Sequence, residues 1–226
     1  MTALINLVAT RSKDGDHDAL FRWYGDHVHL LLGFAALRRA TLYRRIGAAV
    51  AGGPEYLCLY EFPGEADFLA FESSAARAQA QQVVETGWAR DGIEIVQRTQ
   101  YLRLGQRSGH GFSAPQGAVH QIQALTLGAG PLPGVARWLA DRLHQTLRSP
   151  AWGDIAWHRS CDATQAGGEA LLVAEASAVG AVVGTPLAHG RWLTDPADTA
   201  DAVGQRPDAV ALRWQGAYQR LCSWTR

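Results

Sequence analysis

Lysine is almost missing from this chain: Lys13 stands alone among 21 basic residues, and 21 acidic residues bring the formal net charge to zero. With no excess of either sign and no block of like charges, nothing in the composition draws the protein to nucleic acid or to an anionic membrane. Coding bias accounts for the arginine excess more simply than phosphate recognition does. Cysteine is scarce too. Cys58, Cys161 and Cys222 are odd in number, far apart and in no Cys-x-x-Cys or Cys/His spacing, so they imply neither a disulfide framework nor a zinc site. A reducing cytoplasm fits that usage. No stretch approaches the ~18 apolar residues of a membrane span, and residues 1–12 carry no basic leader ahead of their short apolar run. A soluble, unprocessed protein is expected. No Walker loop, GxGxxG, GxSxG or HExxH occurs in a convincing context, which leaves nucleotide, dinucleotide, serine-hydrolase and zincin chemistry without support.

What the chain does contain is itself, twice. Its 226 residues, 47% apolar, suffice for one large domain or for two halves. An offset of 115 lays Arg22, Trp23, Asp26, His29 and Leu32 on Arg137, Trp138, Asp141, His144 and Leu147. The same offset sets residues 3–9 over 118–124 and Arg44 over Arg159. A slip of one matches Leu57, Leu59 and Glu61 to Leu171, Val173 and Glu175; a slip of two the other way matches Tyr101 and Arg103 to Tyr218 and Arg220. The order never breaks, and collinear matches of this kind point to duplication. Residues 105–117 between the copies are rich in glycine and turn formers and read as the connection. The expected division is 1–107 as repeat 1, 108–117 as linker and 118–226 as repeat 2.

Each copy reads as strand, helix, strand, strand, helix, strand. In repeat 1 the strands fall at residues 4–9, 41–46, 56–62 and 93–104, with one helix opening at Asp16 and another over 65–84. On the first helix Leu20, Phe21, Tyr24, Val28, Leu31 and Leu32 share a face, and in repeat 2 Val135, Leu139, Leu143 and Leu147 form the matching stripe. Repeat 2 has strands at 157–160, 170–176 and 209–221, but its second helix is degenerate: residues 179–207 hold four glycines and three prolines. A βαββαβ unit makes a four-stranded antiparallel sheet with both helices on one face. The bare face needs cover, and the tethered second copy supplies it. The expected class is α+β: two ferredoxin-like repeats whose antiparallel sheets pack face to face as an intramolecular dimeric α/β barrel.

The segment Trp23-Tyr24-Gly25-Asp26-His27-Val28-His29-Leu30-Leu31, then Phe34 and Arg38-Arg39-Ala40-Thr41-Leu42-Tyr43-Arg44, resembles the EthD-like and related dimeric α/β-barrel proteins. Leu57-Cys58-Leu59-Tyr60-Glu61-Phe62, Trp88 and Arg98-Thr99-Gln100-Tyr101 fit the same pattern. Two departures stand out: the Pro-Gly turn of the pattern is here Ala35-Ala36, and repeat 2 has Arg142 where repeat 1 has His27. The superfamily that this resembles holds small monooxygenases, isomerases and lyases of catabolic intermediates, polyketide cyclases, haem enzymes and stress-response proteins, so fold does not settle function.

Helical geometry sorts the candidate residues. Arg22, Asp26 and His29, like Arg137, Asp141 and His144, lie about 100–160° round from the apolar stripe and point to solvent or to a subunit partner. His27 lies at the edge of the stripe beside Trp23, where a partly buried imidazole can act as acid or base near neutrality. Asn6, Tyr43 and Tyr60 are polar members of apolar strands that can complete a pocket with His27, Trp23 and Tyr24. In repeat 2, Gln121, His158 and Trp214 would build a different cavity. No metal is expected, because His27 and His29, two apart on a helix, diverge by about 200°.

Three functions remain open. One is a cofactor-independent enzyme of monooxygenase, isomerase or lyase type, taking a small apolar or aromatic molecule into a helix–sheet cleft of repeat 1. There His27 moves a proton while Tyr43 and Asn6 orient a carbonyl or hydroxyl. The second is a non-catalytic small-ligand binding, assembly or stress-response protein, with the Arg/Asp/His face as a homodimer contact. The third is a haem protein with His27, His120 or His158 as axial ligand.

Overall fold

The computed structural model describes residues 3–50, 54–108, 119–127, 152–161, 168–176 and 210–226, together with Arg137, Trp138, Ala140, Asp141 and His144. In chain order the elements are β1 (Leu4–Ser12), α1 (His17–Leu31), β2 (Arg39–Val50), β3 (Tyr56–Phe62), α2 (Glu65–Glu72), α3 (Ala75–Thr86), α4 (Ala89–Gly92), β4 (Ile93–Arg107), β5 (Val119–Leu127), β6 (Trp152–Ser160), β7 (Glu169–Ala176) and β8 (Val210–Thr225). They form two compact units: residues 1–44, 54–102 and 221–226 make unit 1, and residues 45–53 and 103–220 make unit 2. The ends of β2, β4 and β8 are thus grouped differently from a single cut at the connection. The expected second helix of repeat 2, and the connection beyond Ser108, lie outside the described residues.

In unit 1, β1 pairs antiparallel with β3 on one side and β4 on the other, and β2 adds to β3, giving the order β4-β1-β3-β2. Unit 2 repeats it as β8-β5-β7-β6. The irregularities repeat as well. The β1–β4 register shifts between Ala9 and Thr10, and the β5–β8 register shifts between Ala124 and Leu125, which is the same point under the 115-residue offset. Among the described residues no helix is long and apolar enough to cross a membrane.

The turn into α1 passes through Gly15 at φ +76°, a backbone state that suits glycine. Asp16 then caps the helix by accepting from the Ala19 amide at 2.8 Å, as its position before the apolar period implied. The buried side chains are Leu20, Tyr24, His27, Val28 and Leu31. Phe21, expected in the stripe, is 42% exposed, so the buried arc is turned toward His27. Arg22, Asp26, His29, Arg137, Asp141 and His144 are all exposed, as the wheel required.

The expected helix over 65–84 is two helices. Phe71 closes α2 against Phe62 and Phe68, and Ser74 caps α3 by accepting from the Arg77 amide at 3.2 Å. The cap satisfies an orphan amide that a continuous helix would not have exposed, which is why the chain restarts there.

Candidate functional site

Register decides which strand residues can meet α1. Asn6 pairs with Tyr60 and Gln100, Val8 with Cys58 and Arg98, and Thr10 with Tyr56. Leu4 pairs with Phe62, whose ring packs on Phe68 and Phe71 of α2, so this set faces the helices. The β1–β4 shift inserts an extra residue in β4 and turns Ile95, opposite Thr10, to the same side as Arg98. Between this face and helices α1, α3 and α4 lies a mostly apolar cavity of about 420 Å3. That volume falls among small-molecule sites, roughly 300–1,000 Å3.

Five of the six residues singled out from sequence line it: Asn6, Trp23, Tyr24, His27 and Tyr60. Tyr43 does not. It pairs with Leu57, which pairs with Ala9, and all three belong to the opposite face of the sheet. The expectation that Tyr43 helps His27 is therefore corrected. Residues 40–43 are buried on both faces, so polarity along β2 carries no record of which side faces the helices.

His27 is 8% exposed and its ring stacks on Trp23, centroids 4.5 Å apart at 20°. Burial, with the nearby Arg77 charge second, pushes its pKa down from 6.5 to about 4. At neutral pH the imidazole is uncharged, and its buried Nδ1 has no hydrogen-bond partner. Trp23 Nε1 is buried and unpartnered too. The neighbouring Tyr24 is anchored instead: its hydroxyl shares a 3.0 Å hydrogen bond with Thr10 Oγ1, and burial holds it protonated far above the ordinary phenol value. Tyr60 is likewise held protonated by burial, and Cys58 beside it has a thiol pushed up to about 12. That thiol is no nucleophile. Asn6 Oδ1 accepts from Gln100 Nε2 at 3.3 Å, which fixes its amide.

The sequence reading missed the charged part of the wall. Arg77 of α3 and Arg98 of β4 line the cavity, and both reach Glu72 Oε1, at 3.7 and 2.6 Å. Arg77, Gln81 and Glu85 form a ladder one turn apart, with hydrogen bonds of 2.9 Å at each step. The spacing of that ladder was visible in the sequence. Its convergence with Arg98 was not, because it depends on the helix break at Ser74 and on the register of β4.

Among the described residues, unit 2 offers no equal arrangement. Gln121 stands where Asn6 does, but it pairs with Ala174, whereas His158 pairs with Leu171 and Trp214 with Ala124, on the other face. The three residues expected to share a cavity do not converge. Burial first and Arg103 second push His158 down to about 3, and its Nδ1 lies 3.3 Å from the Leu171 carbonyl. Arg142 lies outside the described residues.

Haem does not fit these histidines well. An axial histidine ordinarily donates its second ring nitrogen to a carbonyl or carboxylate, and His27 Nδ1 has no such partner. His158 has one, but its Nε2 is sealed. His120 shares the face of His158 and lies 3.9 Å from Glu175. Among the described residues no group of three or more His, Cys, Asp or Glu could hold a metal ion.

No protein-family model matches the chain, and no curated protein matches it in sequence. Solved structures do match. A protein of Fusobacterium nucleatum subsp. nucleatum, provisionally assigned as a monooxygenase, aligns with a TM-score of 0.67 at 7% identity, covering 100% of this chain and 95% of its own. An anthrone oxidase-like protein gives 0.65 at 8% identity, over 99% and 92%. A chlorite dismutase of Candidatus Nitrospira defluvii gives 0.59 at 6%, over 97% and 91%. What these share with the chain is the fold, mixed α/β with antiparallel strands of the ferredoxin-like dimeric α/β-barrel type.

Proposed function

We propose that unit 1 is a cofactor-independent enzyme, of monooxygenase, isomerase or lyase type, that removes a proton from a small apolar or aromatic molecule held between helices and sheet. The observation that carries this reading is His27: a neutral imidazole, unpartnered at Nδ1, on the wall of a mostly apolar cavity. A base with a pKa near 4 is deprotonated throughout the neutral range, and once protonated it gives the proton back readily. That suits a shuttle between two atoms of one molecule. When the proton leaves a carbon whose carbanion is conjugated with a carbonyl, the electron pair moves onto the oxygen. The Asn6 amide and the protonated Tyr60 hydroxyl supply donors for the resulting oxyanion. The monooxygenase and anthrone oxidase-like names among the fold relatives are compatible with such chemistry.

The two units are, in the same reading, products of one duplication, with the EthD-like pattern kept in the first copy. The shared strand order and the shared position of the register shift support it.

Anthrone, whose C10 protons lie opposite its carbonyl, is the probe. Wild-type protein is expected to accelerate C10 deuterium exchange in D2O, and H27Q to lose about 10² or more of that acceleration. Exchange that is equal in the two proteins removes His27 from the chemistry. Exchange no faster than in buffer, under conditions where anthrone binds, removes the enzyme.

A further inference from the structure

Charges around the unit 1 cavity are out of balance. Arg77, Arg90 and Arg98 line it, and among the described residues Glu85 is the single acidic one that does. Glu72 sits behind the wall and is shared: one oxygen, Oε1, serves both Arg77 Nε and Arg98 Nη2. One carboxylate thus answers two guanidiniums. Arg77 Nη1 turns to the neutral Gln81 Oε1, which uses a donor without cancelling any charge, and Glu85 is occupied in accepting from Gln81 Nε2. Each guanidinium carries five donors in a planar fork, more than these contacts use. The rest of the wall near them is apolar, with Val8, Phe71, Val84 and Ile95 prominent. Cations incompletely compensated at the edge of a low-dielectric chamber attract one kind of group, a planar anion whose two oxygens match the fork.

Resting on the function proposed above, we infer that the molecule unit 1 takes is an aromatic or apolar carboxylate, its acid end meeting Arg77 and Arg98 and its rings filling the chamber beside Trp23. Such a pose separates the two tasks. The acid end fixes orientation from α3 and β4, and the reacting atom is presented to His27 on α1. Arg77 lies between the two tasks, because its charge also reaches His27. If Glu72 with its two arginines served only to tie α2 to β4, the charge of a bound molecule would not matter.

Calorimetric titration of the full-length protein with 2-naphthoate, its neutral isostere 2-naphthamide and the cation 2-naphthylmethylammonium tests the assignment. Naphthoate is expected to bind about tenfold or more tighter than naphthamide, and the cation weakest. In R77M and in R98M that preference is expected to shrink to about twofold or less, with R98K between wild type and R98M because it keeps the charge and loses the fork. Thermal melts of each variant check that the ratio is read on folded protein. Equal affinity for naphthoate and naphthamide overturns the inference and leaves the cavity standing. So does a preference that survives undiminished in both R77M and R98M. Failure of all three probes to bind overturns the cavity reading itself, and the inference with it.

Discussion

Unit 1 and unit 2 have the same strand order and shift register at the same point, yet corresponding positions on their sheets carry different chemistry. Asn6 opposite Tyr60 becomes Gln121 opposite Ala174, and Val8 opposite Arg98 becomes Gln123 opposite Gln215. In unit 2 the last two are buried and share one hydrogen bond, Gln123 Nε2 donating to Gln215 Oε1 at 2.9 Å, while Gln123 Oε1 and Gln215 Nε2 are buried without a partner. A neutral amide pair stands where unit 1 has an arginine at a cavity wall. The lesson is that the described strands keep one backbone pairing in both units, while the side chains at matching positions of one face differ in charge and polarity.

The comparison breaks first on activity. If the site belongs to unit 1, H27Q should cost about 10² or more in anthrone exchange, while Q121A, at the position equivalent to Asn6, should leave the rate within about threefold. Comparable losses in both would spread the chemistry over the two units.

Next comes acid stability. An imidazole whose pKa falls from 6.5 to about 4 on folding binds its proton more readily in the unfolded chain. Its share of stability is therefore complete above pH 6.5 and is lost as pH drops toward 4, to about 3 kcal/mol. His158 adds a loss of the same sign in unit 2, extending toward pH 3. Urea unfolding at pH 7.5 and 4.5 should show a drop that is smaller by about 2 kcal/mol in H27Q than in wild type. An identical drop would mean that His27 is not buried neutral.

The smallest effect sharpens the unit 2 side. Q215L strands a buried Gln123 amide and should cost about 1–3 kcal/mol, whereas Q123L with Q215L should return close to wild type, because an apolar pair leaves nothing unpaired. A double variant as unstable as the single one would mean that the amides serve something beyond each other.

Much of this was legible beforehand, and the exceptions share a cause. Residues 56–62 announced β3 by composition and flanking turns, and Asp16 marked the start of α1; both match the structure. The burial of His27 beside Trp23 was legible because a helical wheel needs only local geometry. The break at Ser73 and Ser74 was hidden by a run of helix formers on both sides, where propensity says continue and only the serine cap says stop. Tyr43 was misassigned because strands buried on both faces lose the alternation that tells one side from the other. Arg77 and Arg98 went unnoticed since neither is unusual alone, and Glu72, which joins them, belongs to a third element.

NMR titration of the His27 ring, assigned by difference from H27Q, measures directly whether it is an uncharged base in its chamber. Flat ring shifts are expected from pH 8 down to about 5.5, with a midpoint about 4. A midpoint at or above the ordinary 6.5 would contradict this, since such an imidazole would be solvated or ion-paired and not waiting in an apolar site.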